Sequence, residues 1–223
     1  MIDKLDFYDV MATIVPGVLV VALIGVLFPE FRDYLGQDYN GAFPVMALSA
    51  LSIFAGQLLV AFGSLLEPLL YWSWGGRPSD LALTTCIPER YLPKSASDRI
   101  RGKLAKVCEP DAGPVSLFLK AISLSYSTKN SRTERFNAFY AYHRTLVGFV
   151  AIALAMAVTS RCNGLLSSLS GWRFVAVLVI LLAVFAVCWF RAHQRAFYFV
   201  REVLITAERE LDKQDTVIGS TNK

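Results

Sequence analysis

Residues 39–66 read YNGAFPVMALSALSIFAGQLLVAFGSLL, 28 residues without a formal charge, and the run ends at Glu67 and Pro68. At about 1.5 Å of rise per residue, roughly 20 such residues cross a hydrocarbon core about 30 Å thick. The stretch therefore predicts a transmembrane helix over residues 44–71. One side of that helix is small and polar. At 100° per residue Ser49, Ser52, Gly56, Gly63 and Glu67 share a narrow sector, whereas Leu51, Leu58, Leu65 and Leu69 lie mostly elsewhere. Small residues let a second backbone come close in lipid, and the face ends in the carboxylate of Glu67, at the edge of the run. This face, with Gln57 a turn and more inside, is the candidate for helix packing or for lining a lumen. At depth, Glu67 has to be neutral, paired with a cation, or facing water. At the cytoplasmic edge, which Pro68 and the aromatics from Tyr71 favour, the penalty largely disappears. Repeated around an oligomer, it would form a ring of carboxylates at a pore entrance.

Outward from this helix, three more uncharged runs appear, at residues 10–28, 145–160 and 174–190. The last two are short, but Arg144 and Arg161 bracket one, Arg173 and Arg191 the other, and long cationic side chains can snorkel to the headgroups. With 55% hydrophobic residues, 18% charged and a mean hydropathy of +0.46, the chain is too apolar for an ordinary soluble domain. The fold class expected is all-α: a four-span transmembrane helix bundle with a small helical cytoplasmic subdomain and a C-terminal amphipathic helix. Its segments are 1–71 (an interfacial stretch and the first helix pair), 72–144 (basic and cytoplasmic), 145–190 (the second pair) and 191–223 (a helix and a disordered tail).

Charge sets the expected orientation. Of the 22 Lys and Arg residues, both termini inside would place 19 on the cytoplasmic side and 3 outside. Asp3, Asp6 and Asp9 do not suit the basic start of a signal peptide, and Phe28-Pro29-Glu30 offers no small-residue cleavage site, so the first helix is expected to remain. Leu5, Phe7 and Tyr8 suit the headgroup level, and Pro16-Gly17 predicts a kink in the first span. Glu30, Asp33 and Asp38 lie in an outer segment, 29–43, that is too short to fold alone.

The 73 residues from 72 to 144 carry twelve cations against six acids. Gly75-Gly76-Arg77-Pro78 breaks the helix. Ile100, Leu104 and Val107, alternating with Arg99, Arg101, Lys103 and Lys106, predict a basic amphipathic helix that ends near Pro110. A second starts near Pro114, and a third starts near Thr133 and runs unbroken into the third span. The basic surface of Arg99, Arg101, Lys103 and Lys106 suits anionic headgroups, an acidic protein or nucleic acid, in that order. Beyond the last span, Phe197, Val200, Val203, Leu204, Ala207 and Leu211 form an apolar stripe, with Arg201, Glu202, Glu208, Arg209, Glu210 and Asp212 expected to face water.

Catalytic signatures are missing: no G-x-S-x-G, no H-E-x-x-H, no phosphate-cradling loop and no paired intramembrane aspartates. Cys86, Cys108, Cys162 and Cys188 show no CxxC spacing, and His143 and His193 have no ligand partners at helical spacing. The expectation is a protein that is not an enzyme and needs no cofactor or metal. A transporter is disfavoured because the two helix pairs show no internal repeat.

Leu5-Asp6-Phe7-Tyr8-Asp9 followed by Pro16-Gly17, and the approach to the third span through Arg135-Phe136, Tyr140 and Arg144-Thr145-Leu146, resemble small bacterial membrane proteins encoded beside anti-phage defence genes. The resemblance implies an inner-membrane effector or sensor that works with a cytosolic partner and disturbs the membrane on infection. It supplies no catalytic residues. Together the readings point to a homo-oligomer in the bacterial inner membrane, surrounded by membrane lipids, with pore formation as one mode of action. Direct nucleic-acid binding is not expected. The alternative is a non-conducting anchor or scaffold that recruits a soluble protein or nucleic acid.

Overall fold

A computed structural model describes residues 10–28, 30–31, 42–84, 87–109, 111–127, 131–162 and 170–221. Residues 1–9, most of the outer segment 29–43 with Asp33 and Asp38, Cys86, and the side chain of Cys162 lie outside the described residues. Every regular element among those described is helical. In chain order they are a π-helical turn at Val10–Ile14, α1 (Val15–Leu27), α2 (Ala42–Leu65), α3 (Glu67–Ser73), α4 (Pro78–Thr84), α5 (Lys94–Val107), α6 (Pro114–Ser127), α7 (Ser131–Cys162) and α8 (Gly171–Thr221). Three helices are long and apolar enough to cross a membrane, at Val45–Leu65, Arg132–Arg161 and Gly171–Thr216, and Ala12–Leu27 is a shorter apolar helix.

The helix expected to run unbroken over residues 44–71 is interrupted. Leu66 forms a turn between α2 and α3, its amide still reaching the Phe62 carbonyl at 3.2 Å. Pro68 is the cause, since its ring has no N–H to give the preceding turn and crowds the carbonyl four residues back. Near the other end of the chain no glycine or proline stands between Trp172 and Ile218, and α8 continues for 51 residues.

The chain divides into two compact units, one of residues 1–67 and 138–192, the other of residues 68–137 and 193–223. In the first unit, α1 packs on α2 with their backbones nearly touching. A Cβ added at Gly17 would collide with the Ser52 carbonyl, and one added at Gly56 would collide with the Thr13 carbonyl, so only glycine fits at either crossing. Pro16 is fully buried directly after the π turn, where the register has shifted to the wider helix. Further along α2, a Cβ at Gly63 would lie 3.4 Å from the Arg144 carbonyl of α7, and one at Gly148 would lie 3.1 Å from the Phe62 ring. Hydroxyls in these helices return to their own backbones: Ser49 to Val45 O at 2.7 Å, Ser64 to Val60 O at 3.0 Å and Thr145 to Ala141 O at 2.9 Å. No polar hydrogen from these groups is left in hydrocarbon. The most apolar stretch of α8 buries none of its residues, which leaves its aliphatic side chains uncovered by the chain itself.

The second unit has a core of its own. Ile100 and Leu104 of α5, Phe118 and Ala121 of α6, and Phe197, Val203 and Leu204 of α8 pack together with Leu83 and Tyr91. The stripe expected from Phe197 to Leu211 is the buried face of α8. Tyr91 stacks on Phe197 with ring centres 5.1 Å apart and rings 16° from parallel. The Ser97 hydroxyl binds the Ala82 carbonyl and so ties α5 to α4. α3 ends in a Schellman motif: Gly76 N bonds Tyr71 O at 2.8 Å and Gly75 N bonds Trp72 O at 3.3 Å, with Gly75 at φ +82°.

Candidate functional site

The small-residue face of α2 is occupied by the chain's own helices. Ser52 and Gly56 are buried against the α1 end of the unit, and Gly63 against α7. Ser49 is exposed beside an apolar groove whose lining includes Val18, Val21 and Ile53. Glu67 ends this face, in the first turn of α3, and forms an ion pair with Arg144 of α7. The Tyr140 hydroxyl lies 3.4 Å from the same carboxylate oxygen, and the Arg144 guanidinium sits 5.5 Å from the centre of the Tyr140 ring. The Arg144 side chain is 11% exposed and that of Glu67 26%, so the pair is only partly shielded. Of the environments open to Glu67, the one found is the cation pair. Arg144, read from the sequence as a snorkelling bracket of the third span, is its partner. The available signal was depth: Glu67 follows its apolar run and Arg144 precedes its own, so helices running in opposite directions bring the two to one level.

Gln57 is different. It is exposed, and its amide makes no hydrogen bond among the described residues. Ala47, Ala50, Phe54, Gln57, Ala61 and Ser64 are all exposed and follow a 3-4-3-4-3 spacing, the seam of a left-handed helix pair. In the sequence Gln57 is the second polar group of this helix, able to hydrogen-bond between helices, and groups with the glycine side. Geometrically Gln57 stands on a separate face.

Comparison with protein-family models, with characterised proteins and with solved structures finds no match to this chain. Its chemistry has to be read from its own side chains.

The basic helix is divided. Arg99 Nε lies 2.6 Å from Glu208 Oε1, and Lys103 Nζ lies 3.2 Å from the same oxygen and 2.6 Å from Asp212 Oδ1. Arg101 and Lys106 are exposed. The hydrogen bond from Arg99, helped by Lys103, holds the Glu208 carboxyl below its usual range; the reciprocal bond raises Arg99 above its own, and the bond to Asp212, helped by Glu208, raises Lys103. Glu202 and Glu208 were expected to face water. Instead Glu202 is 7% exposed and pairs with Arg132 at 3.2 Å, and the Glu208 side chain is 12% exposed. The apolar stripe of α8 is flanked closely enough by α5 and α7 cations to bring these carboxylates inward. His193 lies edge-on to Trp74 at 5.4 Å and to Phe197 at 4.8 Å, an aromatic setting. Among the described residues, no three His, Cys, Asp or Glu side chains converge as metal ligands would.

Proposed function

We propose that the chain is a multi-pass protein of the bacterial inner membrane that assembles with copies of itself and presents a helical cytoplasmic unit to a soluble protein partner. It acts as an effector or sensor in anti-phage defence. Four spans are assigned: the π turn with α1, α2, the apolar part of α7 and the first half of α8. Residues 10–27 make about 27 Å of helix, close to the thickness of the hydrocarbon core. Both termini lie in the cytoplasm, an orientation supported by the 19 to 3 distribution of cations.

Gln57 carries the assembly. It stands near the middle of the Val45–Leu65 span, too deep for its short side chain to reach the headgroups. An amide transferred to hydrocarbon without a partner costs on the order of 4 kcal/mol or more. A parallel assembly about an axis along the membrane normal holds every Gln57 at one depth, and a carboxamide both donates and accepts, so it is its own complement. The seam of small residues around it lets the backbones approach. A dry dimer or trimer is supported by the pairing of Glu67 with Arg144, which offsets the charge that a carboxylate ring would present. The second reading is a ring of four or more subunits, in which Gln57 and Ser64 would line a wet lumen.

The test is the mass of the full chain in nanodiscs. Wild type is expected to run as an oligomer and Gln57→Leu, which suits lipid better as a monomer, to shift toward single copies. An unchanged mass rejects the seam. A ring of four or more copies would call for conductance measurements, and a smaller assembly supports the non-conducting anchor that recruits its partner through the second unit.

A further inference from the structure

The first turns of α7 and the stretch of α8 from Arg195 to Glu202 enclose a pocket of about 350 Å³ within the second unit. Arg132 and Phe136 line it from α7, and Arg195, Tyr198, Arg201 and Glu202 from α8. Three guanidinium groups thus meet one carboxylate, and that carboxylate is already held by Arg132 at 3.2 Å. Arg195 also interacts within the chain, so its contribution to the pocket is its charge. Arg201 is different: it makes no ion pair or hydrogen bond among the described residues, although it is half-buried. The Tyr198 hydroxyl likewise has no partner there, and its ring is held edge-on to Tyr91 at 5.1 Å. Phe136, 6.2 Å from Tyr198 between ring centres, closes the apolar wall.

We infer that this pocket binds a phosphate group. A surplus of positive charge in a concave site raises the local concentration of anions. The planar fork of a guanidinium matches two phosphate oxygens, and a phenol can donate to a third. The first turn of a 32-residue helix adds its positive end on the same side. Glu202 does not oppose the anion, because Arg132 neutralises it.

Two sources present this chemistry: an anionic lipid headgroup and a soluble phosphorylated compound. Tyr198 follows Phe190 by about 12 Å of helix, at the outer edge of the headgroup layer, where either can arrive. Only the lipid source rests on the membrane reading.

The experiment uses the full chain in nanodiscs. In discs containing phosphatidylglycerol, native mass spectrometry counts the lipids retained on the protein. In discs of phosphatidylcholine alone, calorimetry follows inorganic pyrophosphate. Arg201→Gln should reduce one of the two by about fivefold or more, the scale expected for one cation at a membrane surface. Arg201→Lys, which keeps the charge and loses the fork, should fall between. Arg209→Gln, exposed on α8 and outside the pocket, should match wild type. A loss in retained phosphatidylglycerol identifies a headgroup, and a loss in pyrophosphate affinity identifies a soluble ligand. If wild type and Arg201→Gln, both with the wild-type thermal transition, behave alike toward both probes, the inference is wrong. A chain that failed to enter the discs would count against the membrane reading instead, and pyrophosphate titration in detergent would still decide the pocket.

Discussion

At the scale of single residues, Glu67 and Arg144 divide one electrostatic problem between them. Glu67→Gln leaves the guanidinium of Arg144, 11% exposed, without its counter-charge. Breaking a fully buried pair costs about 3–5 kcal/mol, and the partial exposure of this one brings the expected loss to roughly 1–2 kcal/mol. Thermal unfolding in detergent should show it. The double variant Glu67→Gln/Arg144→Gln should recover part of the loss, and strict additivity would mean the two side chains do not interact. Gly56→Leu acts by a different route. Its side chain meets the Thr13 backbone rather than a neighbouring subunit, so the variant should lower the stability of the single chain by about 3 kcal/mol or more, with the seam around Gln57 intact. A change in assembly with no change in unfolding would contradict that assignment. The glycine face was legible in the sequence because small residues at helical spacing identify a close approach. Which backbone approaches was not legible, because periodicity carries no information about the partner.

At the scale of elements, the joint between α5 and the end of α8 depends on pH. The folded pKa of Glu208 lies below its ordinary value of 4.5, so its stabilising effect is complete above about pH 4.5 and is lost as the pH falls through the lower folded value. Protection factors for amide exchange in α5, which are corrected for the intrinsic pH dependence of exchange, should stay high at neutral pH and fall below that point. Glu208→Gln should remove the acid dependence, and a wild-type profile in that variant would exclude Glu208 as its source. Helix starts and stops were read well wherever proline or the amphipathic period marked them, as at Pro114 and at the entry of α7. The break at Leu66 was missed because an uninterrupted hydropathy signal hid the proline that ends it. α4, seven residues between glycine and proline signals, is too short to show a period. The basic face of α5 was recognised, but which of its cations are already taken depends on α8, a hundred residues later, and local spacing cannot report that.

At the scale of the whole molecule, the segmentation read from hydropathy follows the sequence, whereas the compact units gather distant pieces. α7 and α8 each contribute residues to both units. Four apolar runs were legible in the sequence because lipid rewards composition alone, and three of them fall in helices long and apolar enough to cross a membrane. The core of the second unit was only half legible, since Phe197 and Leu204 are matched to Ile100 and Phe118 by tertiary packing. Ending the chain after Gln194 removes Phe197, Val203 and Leu204 while leaving the apolar runs whole. The shortened protein should still enter membranes, and limited proteolysis should cut α4–α6 rapidly. Protection equal to wild type would show that those helices form a core without α8.

The same dependence has a temporal side. Residues of α4, α5 and α6 leave the ribosome before the α8 side chains that complete their shared core. At about 5–20 residues per second, the interval between Leu124 and Leu211 is on the order of ten seconds. For that long each nascent chain carries an unfinished core, so chaperone supply and translation speed should set how much of the protein matures.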